Sequence, residues 1–315
     1  MTRVVATAAI PPIGHEAFAA IGPIELLGHG RAPLRDADVL LVRAERIDAD
    51  DIASAHRLRV IARTGSGVDN IDVEAATRAR VPVIYAPGAG ARPVAEGTMA
   101  LMLAAAKRLG EHADVLREGA WAERYQVVGG DLEGAVLGIV GLGQIGREVA
   151  KLAAAFGMEV IASDPEHAGA TNAAMRVVSL SELAGRADIV TLHCPLTDHT
   201  RGLIDRRFVD RMKDGSILVN VARGGIVAGE EVLLEALERG KLAAIGLDVF
   251  EEEPPSPASP LLRDPRVVCT PHTIGLTRSW NERVFAGLAA DTARLLAGKP
   301  PLHAVNPEAL GAARA

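Results

Sequence analysis

Gly141, Gly143 and Gly146 stand in the spacing G-x-G-x-x-G, after the apolar run 136–140 and before a helical apolar stripe, Val149, Leu152, Ala153 and Phe156. Each glycine has a physical task in a dinucleotide site. Gly141 permits a tight turn out of a strand, Gly143 lets the backbone approach a pyrophosphate, and Gly146 lets the helix lie close on the strand. Gln144 and Ile145 fill the places between the last two glycines. A second strand-like run ends in Asp164, whose carboxylate can accept hydrogen bonds from a ribose 2′-hydroxyl. Strand, glycines, helix and acid in this order make a chance glycine-rich loop a poor explanation.

Three polar residues lie just past three other strand-like runs. Val221-Ala222 leads to Arg223, Asp248-Val-Phe to Glu253, and Thr270-Pro to His272. An arginine fork can bind a carboxylate and polarise a neighbouring carbonyl. A histidine can carry the proton that a carbonyl takes up as it accepts hydride. A glutamate beside that histidine stabilises its cation and orients the ring. Taken singly, they read better as a surface arginine, one member of a solvated acidic run and a loop histidine. Their arrival at successive strand ends after a dinucleotide fingerprint favours the chemical reading.

The elements that must position these residues follow from periodicity. Residues 1–90 alternate strand candidates (4–8, 39–42, 58–62 and 81–85) with helical patterns at 13–20, 49–56 and 72–79. Beyond 136 come strand candidates at 136–140, 158–163, 187–192, 215–220, 242–247 and 266–269, with helices between them. Such alternation predicts parallel sheets with helices on both faces, whose ligands gather at the carboxyl ends of the strands. Ser179-Leu-Ser-Glu182 has the pattern of a capping box. The Ala228-Gly229 pair predicts a poorly capped helix after it. Long helical patterns at 93–109 and 277–297 suit connectors between two domains. A chain of 315 residues fits two domains and leaves no room for an appended regulatory one.

Composition narrows the class. The chain is 49% hydrophobic and 23% charged, the proportions of an ordinary globular protein. With only 3% aromatics, its cores must be built from aliphatic side chains. A net charge of −6 without a long basic run points away from nucleic acid. Two cysteines, Cys194 and Cys269, are too few for a disulfide framework or a zinc site, and no metal is expected. The apolar stretches are too short to span a bilayer, and the N-terminus reads as a first strand rather than a signal peptide. The expected location is the cytoplasm.

Together these stretches carry a resemblance over nearly the whole chain. They are 63–72, Pro93-Val-Ala-Glu96, 138–146, Leu192-His-Cys-Pro-Leu-Thr197, 220–226, 246–254 and Thr270-Pro-His272. The chain resembles the D-isomer-specific 2-hydroxyacid dehydrogenases. The first part looks closest to the phosphoglycerate dehydrogenase and hydroxypyruvate/glyoxylate reductase branches. The resemblance implies an α/β fold of two doubly wound parallel sheets. A Rossmann NAD-binding domain, 99–286, is inserted into a discontinuous flavodoxin-like substrate domain, 1–98 and 287–315. It implies NAD-dependent interconversion of a 2-oxoacid and a (2R)-hydroxyacid in a homodimer. Arg223, Glu253 and His272 are then the catalytic residues. His193, Cys194, Pro195, Thr200, Val221, Ala222, Arg223, Asp248 and His272 join the fingerprint residues and Asp164 around the cofactor. Arg43, Ser66, Gly67, Val68, Arg223 and His272 address the substrate. Arg43 and Arg92 read equally as contacts to a substrate phosphate and as surface charges. Some relatives of this fold are NAD-sensing corepressors, which is the rival class. Because no arginine follows Asp164 in Pro165-Glu166-His167, NAD is expected over NADP.

Overall fold

Near-continuous apolar runs become strands buried on both faces, as parallel sheets covered by helices require. The computed structural model describes residues 2–28, 32–65, 67–167, 171–172 and 175–312. In chain order the first part contains β1 (Val4–Ala6), α1 (Pro12–Phe18), β2 (Ile24–Leu26), β3 (Val39–Val42), α2 (Ala49–Ser54), β4 (Val60–Arg63), α3 (Val73–Arg78) and β5 (Val83–Tyr85). These strands form one parallel sheet in the order β2-β1-β3-β4-β5, the flavodoxin-like arrangement. Successive side chains on a strand point to opposite faces. Val4, Val39, Val60 and Ile84 accordingly enter one core with Phe18, while Val5, Leu40, Ile61 and Val83 enter another with Ile52 and Leu58. β2 had no counterpart among the predicted strands. It lies at the sheet edge, where Glu25 and Leu26 are exposed, so no buried pattern marks it.

The second part begins with α4 (Ala91–Ala106) and α5 (Leu109–Arg117), then β6 (Val136–Val140), α6 (Gln144–Ala155), β7 (Glu159–Ser163), β8 (Thr171–Asn172) and β9 (Met175–Val177). It continues through α7 (Leu180–Arg186), β10 (Ile189–Leu192), α8 (Arg206–Arg211), β11 (Ser216–Asn220), α9 (Glu230–Glu238), β12 (Leu242–Leu247) and β13 (Val267–Cys269). The sheet order is β13-β12-β11-β10-β6-β7-β9-β8, parallel except for β8. All six expected strands are present, and β8 and β9 are added at one edge, too short to leave a periodic signal. The order reverses between β6 and β10, the switch point of a Rossmann sheet. Ser179 caps α7 by accepting from the Glu182 N–H at 3.1 Å. The Glu182 carboxylate pairs with Arg176 and Arg186, so the cap is one-sided. Gly229 gives α9 no side-chain cap, as its sequence predicts.

The last long helix, α10 (Arg278–Leu296), starts at Thr277, whose hydroxyl accepts from the Trp280 N–H at 3.1 Å. It belongs with the first sheet. The chain forms two compact units, Met1–Gly90 with Leu276–Ala315, and Ala91–Gly275. The divisions fall earlier than the expected 98/99 and 286/287 because neither connector helix is shared. Ala95, Met99, Met102 and Ala105 of α4 pack with Leu137, Ile139 and Val219. Val284, Phe285 and Leu288 of α10 pack with Val4, Val39 and Val60. Among the described residues no helix is long and apolar enough to cross a membrane.

Asn306 pins the C-terminal segment to the first unit. It is fully buried, accepts from the Val83 N–H at 2.7 Å, and donates to Thr77 Oγ1 at 3.0 Å and the Val81 carbonyl at 3.1 Å. Removing its amide leaves buried backbone groups without partners. Asn306→Ala is therefore expected to cost about 2–4 kcal/mol, measured by urea unfolding of the whole chain. A loss within error would mean that solvent replaces these bonds.

Candidate active site

At the carboxyl end of β6 the backbone turns at Gly141, with φ +96°, and α6 opens at Gly143 without a side-chain cap. A β-carbon on Gly146 would lie 2.2 Å from the Gly141 carbonyl oxygen, so only glycine lets the helix approach the loop this closely. A β-carbon on Gly143 would meet nothing within 4 Å. The first turn of α6, with Gln144 and Ile145, thus presents amides and the positive end of the helix dipole toward open space. Asp164, just past β7, accepts from the Leu142 N–H at 2.7 Å and the Glu166 N–H at 2.9 Å. Burial pushes its carboxyl up, but the Leu142 N–H, His167 and the Glu166 N–H outweigh that and hold it below the usual range. Each oxygen keeps acceptor capacity for a ribose hydroxyl. These residues fit a dinucleotide.

His193 and Cys194 follow β10 across the switch point. His193 Nε2 lies 2.9 Å from Thr191 Oγ1, and its Nδ1 is buried with no partner among the described residues. Burial pulls this imidazole down to about 3 and pushes the Cys194 thiol up to about 11, so both are neutral at physiological pH. Thr200 is used internally: its hydroxyl donates to the Pro195 carbonyl at 2.5 Å and accepts from the Thr197 N–H at 2.8 Å.

Arg223, Asp248, Glu253 and His272 come together beyond β11, β12 and β13. Asn220, buried at the end of β11, donates to the Arg223 carbonyl at 2.9 Å and accepts from the Ala222 N–H at 3.0 Å, which fixes the turn from Val221 to Arg223. A β-carbon on Gly224 would overlap the Phe250 carbonyl carbon at 1.9 Å, so this glycine brings the Arg223 turn against the loop carrying Glu253. Asp248 is buried, and its Oδ1 accepts from Thr270 Oγ1 at 2.6 Å, the Thr273 N–H at 2.8 Å and the Ile274 N–H at 3.1 Å. Burial raises this carboxyl despite those donors. The bonds hold a turn in which His272 adopts a left-handed backbone, φ +54°, at a cost of about 1–3 kcal/mol. His272 Nδ1 then lies 2.8 Å from Glu253 Oε2, with both side chains partly open to solvent. Glu253 Oε1 accepts from the Phe250 N–H at 3.1 Å. Burial pushes the Glu253 carboxyl up, but His272, the Phe250 N–H and the charge of Arg223 carry it below its ordinary value.

The remaining expected site residues, Arg92 excepted, lie in the first unit. The Arg43 guanidinium donates to the Ala9 carbonyl at 3.0 Å. Arg63 Nε donates to the Gly67 carbonyl at 2.8 Å, which shapes the loop carrying Gly67 and Val68; Ser66 lies outside the described residues. Arg92, in the second unit, is held 2.7 Å from Glu96 and 3.7 Å from Glu148. Sequence reasoning missed Asn220 and Thr270 as supports. It also missed Arg147, whose Nη2 lies 2.6 Å from His167 Nε2, beside Asp164. No arginine follows Asp164 in the chain, yet one from α6 reaches the histidine beside it, and only the position of Arg147 directly after Gly146 hints at this.

Fold and site define a dinucleotide-binding α/β protein with a hydrogen-bonded histidine–glutamate pair at its strand ends. Residues 99–273 match the family described as D-isomer specific 2-hydroxyacid dehydrogenase, NAD binding domain. The chain is 42% identical over 272 residues to D-3-phosphoglycerate dehydrogenase of Archaeoglobus fulgidus, across 85% of this chain and 51% of that protein. It is 45% identical over 252 residues to hydroxypyruvate reductase of Thermotoga maritima, across 79% of this chain and 81% of that one. A solved structure from Thermus thermophilus superimposes with a TM-score of 0.89 at 37% identity, over 96% of this chain and 100% of that one. The chain belongs to the D-isomer-specific 2-hydroxyacid dehydrogenase family. It spans about half the length of the D-3-phosphoglycerate dehydrogenases it matches.

The lowered carboxyl of Asp164 makes stability depend on pH. A depressed folded pKa adds stability above the unfolded value of about 3.9, and that stability is lost as pH falls through the folded value. Asp164→Asn should melt below the wild type at neutral pH, with the gap closing under acid. Melting curves between neutral pH and acid test this, and a constant gap would remove the charge from the argument.

Proposed function

We propose that the chain is an NAD-dependent dehydrogenase interconverting a small 2-oxoacid and its (2R)-hydroxyacid. The observation that carries this reading is the His272–Glu253 hydrogen bond at 2.8 Å, in the same unit as the glycine-lined cradle and Asp164. The nicotinamide, when bound, supplies or accepts the hydride. Glu253 accepts from His272 Nδ1, which leaves Nε2 as the atom that delivers a proton to the carbonyl oxygen in reduction and removes it in oxidation. Arg223 binds the substrate carboxylate and polarises the carbonyl. The backbone at Gly67 and Val68, with Ser66 and Arg43, addresses the carboxylate end. His193, Cys194, Pro195, Thr200, Val221, Ala222 and Asp248 line the cofactor, where two neutral side chains after β10 suit an uncharged ring. Asp164 favours NAD over NADP, since a 2′-phosphate would face its carboxylate.

The relatives support a small substrate of the class of phosphoglycerate, hydroxypyruvate or glyoxylate. Arg92, tied to two glutamates, is a weaker phosphate contact than Arg43. A homodimer is supported by the exposure of Leu109, Leu116, Trp121, Tyr125 and Val128 within one segment. Two free cysteines accord with a reducing, cytoplasmic setting.

Purified protein with NADH and a panel of 2-oxoacids tests the reading. Turnover of at least one is expected, whereas NADH binding without turnover of any would favour an NAD-sensing corepressor. Arg223→Lys should lower kcat/KM by about 10²-fold or more, because the planar fork is lost. NADH affinity should hardly change, and near-wild-type turnover would mean that Arg223 does not bind substrate. His272→Ala should reduce kcat by about 10²- to 10⁴-fold, with a normal NADH titration. A smaller loss would assign the proton to another group.

A further inference from the structure

Asp164 does not stand alone at the place where an adenosine ribose would lie. His167 Nδ1 is 3.2 Å from Asp164 Oδ1, and Arg147 Nη2 is 2.6 Å from His167 Nε2. The guanidinium can only donate, so Nε2 is the acceptor and the ring proton sits on Nδ1, toward the carboxylate. The contact from Nδ1 to Asp164 is electrostatic and poorly aligned for a hydrogen bond. Arg147 is exposed and makes no ion pair with a carboxylate among the described residues. The adjacent Glu148 is occupied by Lys151 and Arg92. The other charged group here is Glu166, whose N–H bonds Asp164 and whose side chain is exposed. An arginine fork therefore lies within one side chain of the acid that reads the 2′-position.

We propose that Arg147 and His167 form a receiving site for a phosphate on the adenosine 2′-oxygen, and that Asp164 alone keeps it from being used. The inference rests on the dinucleotide reading of the cradle. A 2′-phosphate beside an ionised Asp164 is repelled. With that charge removed, Arg147 exchanges a ring nitrogen for phosphate oxygens, which its planar fork binds more strongly. His167, released from the carboxylate, offers the phosphate a ring N–H. Cofactor choice then depends on a single carboxylate, and no new arginine is needed to reverse it.

Equilibrium titrations of the whole chain with NADH and NADPH, followed by nucleotide fluorescence, test the proposal without any substrate. The wild type should bind NADH more tightly than NADPH. Asp164→Asn should tighten NADPH by about 10- to 100-fold, the range of a hydrogen bond to a charged group. Adding Arg147→Gln to that variant should return most of the gain while leaving NADH nearly unchanged. If NADPH binds Asp164→Asn no better than wild type, or binds the single and double variants equally, Arg147 is not the anchor and the proposal falls. If the wild type binds NADH no better than NADPH, Asp164 is not the barrier. If it binds neither, the dinucleotide reading itself fails. Should Asp164→Asn not fold, Asp164→Ser with and without Arg147→Gln carries the same comparison, and equal NADPH affinity in the two overturns the assignment.

Discussion

The first turn of α6 can sit against the end of β6 only because no β-carbon stands between Gly146 and the Gly141 carbonyl. That approach leaves the helix amides uncapped and facing outward. The loop between them is tied to the next strand by the Leu142 N–H to Asp164 bond. Across the switch point, a β-carbon on Gly141 would meet the Cys194 nitrogen at 2.7 Å, so the segment after β10 closes on the same loop. The cradle is thus a packing result first and an electrostatic one second.

Polar residues in this unit divide by burial. Asn220 and Asp248 are buried and spend their hydrogen bonds on the turns beside them: Asn220 fixes the turn into Arg223, and Asp248, which also accepts from the Thr270 hydroxyl, the turn through His272. Glu253 and His272 remain partly open and bond to each other. A buried polar group left unsatisfied is costly, so such residues hold shape reliably. A solvated pair can still exchange protons. The left-handed backbone at His272 is maintained by the buried aspartate rather than by local preference.

Strands with both faces covered were legible because nearly every residue in them is apolar, as in β3, β4 and β10. The short strands β2, β8 and β9, at or next to a sheet edge, were not. Two or three residues leave no period to read. Helix ends followed local chemistry where the partner was local, as at Thr277 and Ser179. They departed from it where another charge competed, as when Arg176 and Arg186 take the Glu182 carboxylate.

The sequence by itself determined the glycine fingerprint, the acid at the end of β7 and the polar residues past three strands. Each depends on spacing along one segment and on the rule that ligands meet strand carboxyl ends. Only the tertiary structure decided the pairings between segments. Glu253, from an acidic run of three, is the one whose carboxylate meets the His272 ring. Thr200 spends its hydroxyl on its own loop. Asn306 reaches back to β5. Arg147, on a helix, comes to rest beside an acid that ends the following strand. Hydrogen bonds and charge act over a few ångströms whatever the distance along the chain, and that proximity exists only once the sheet has formed.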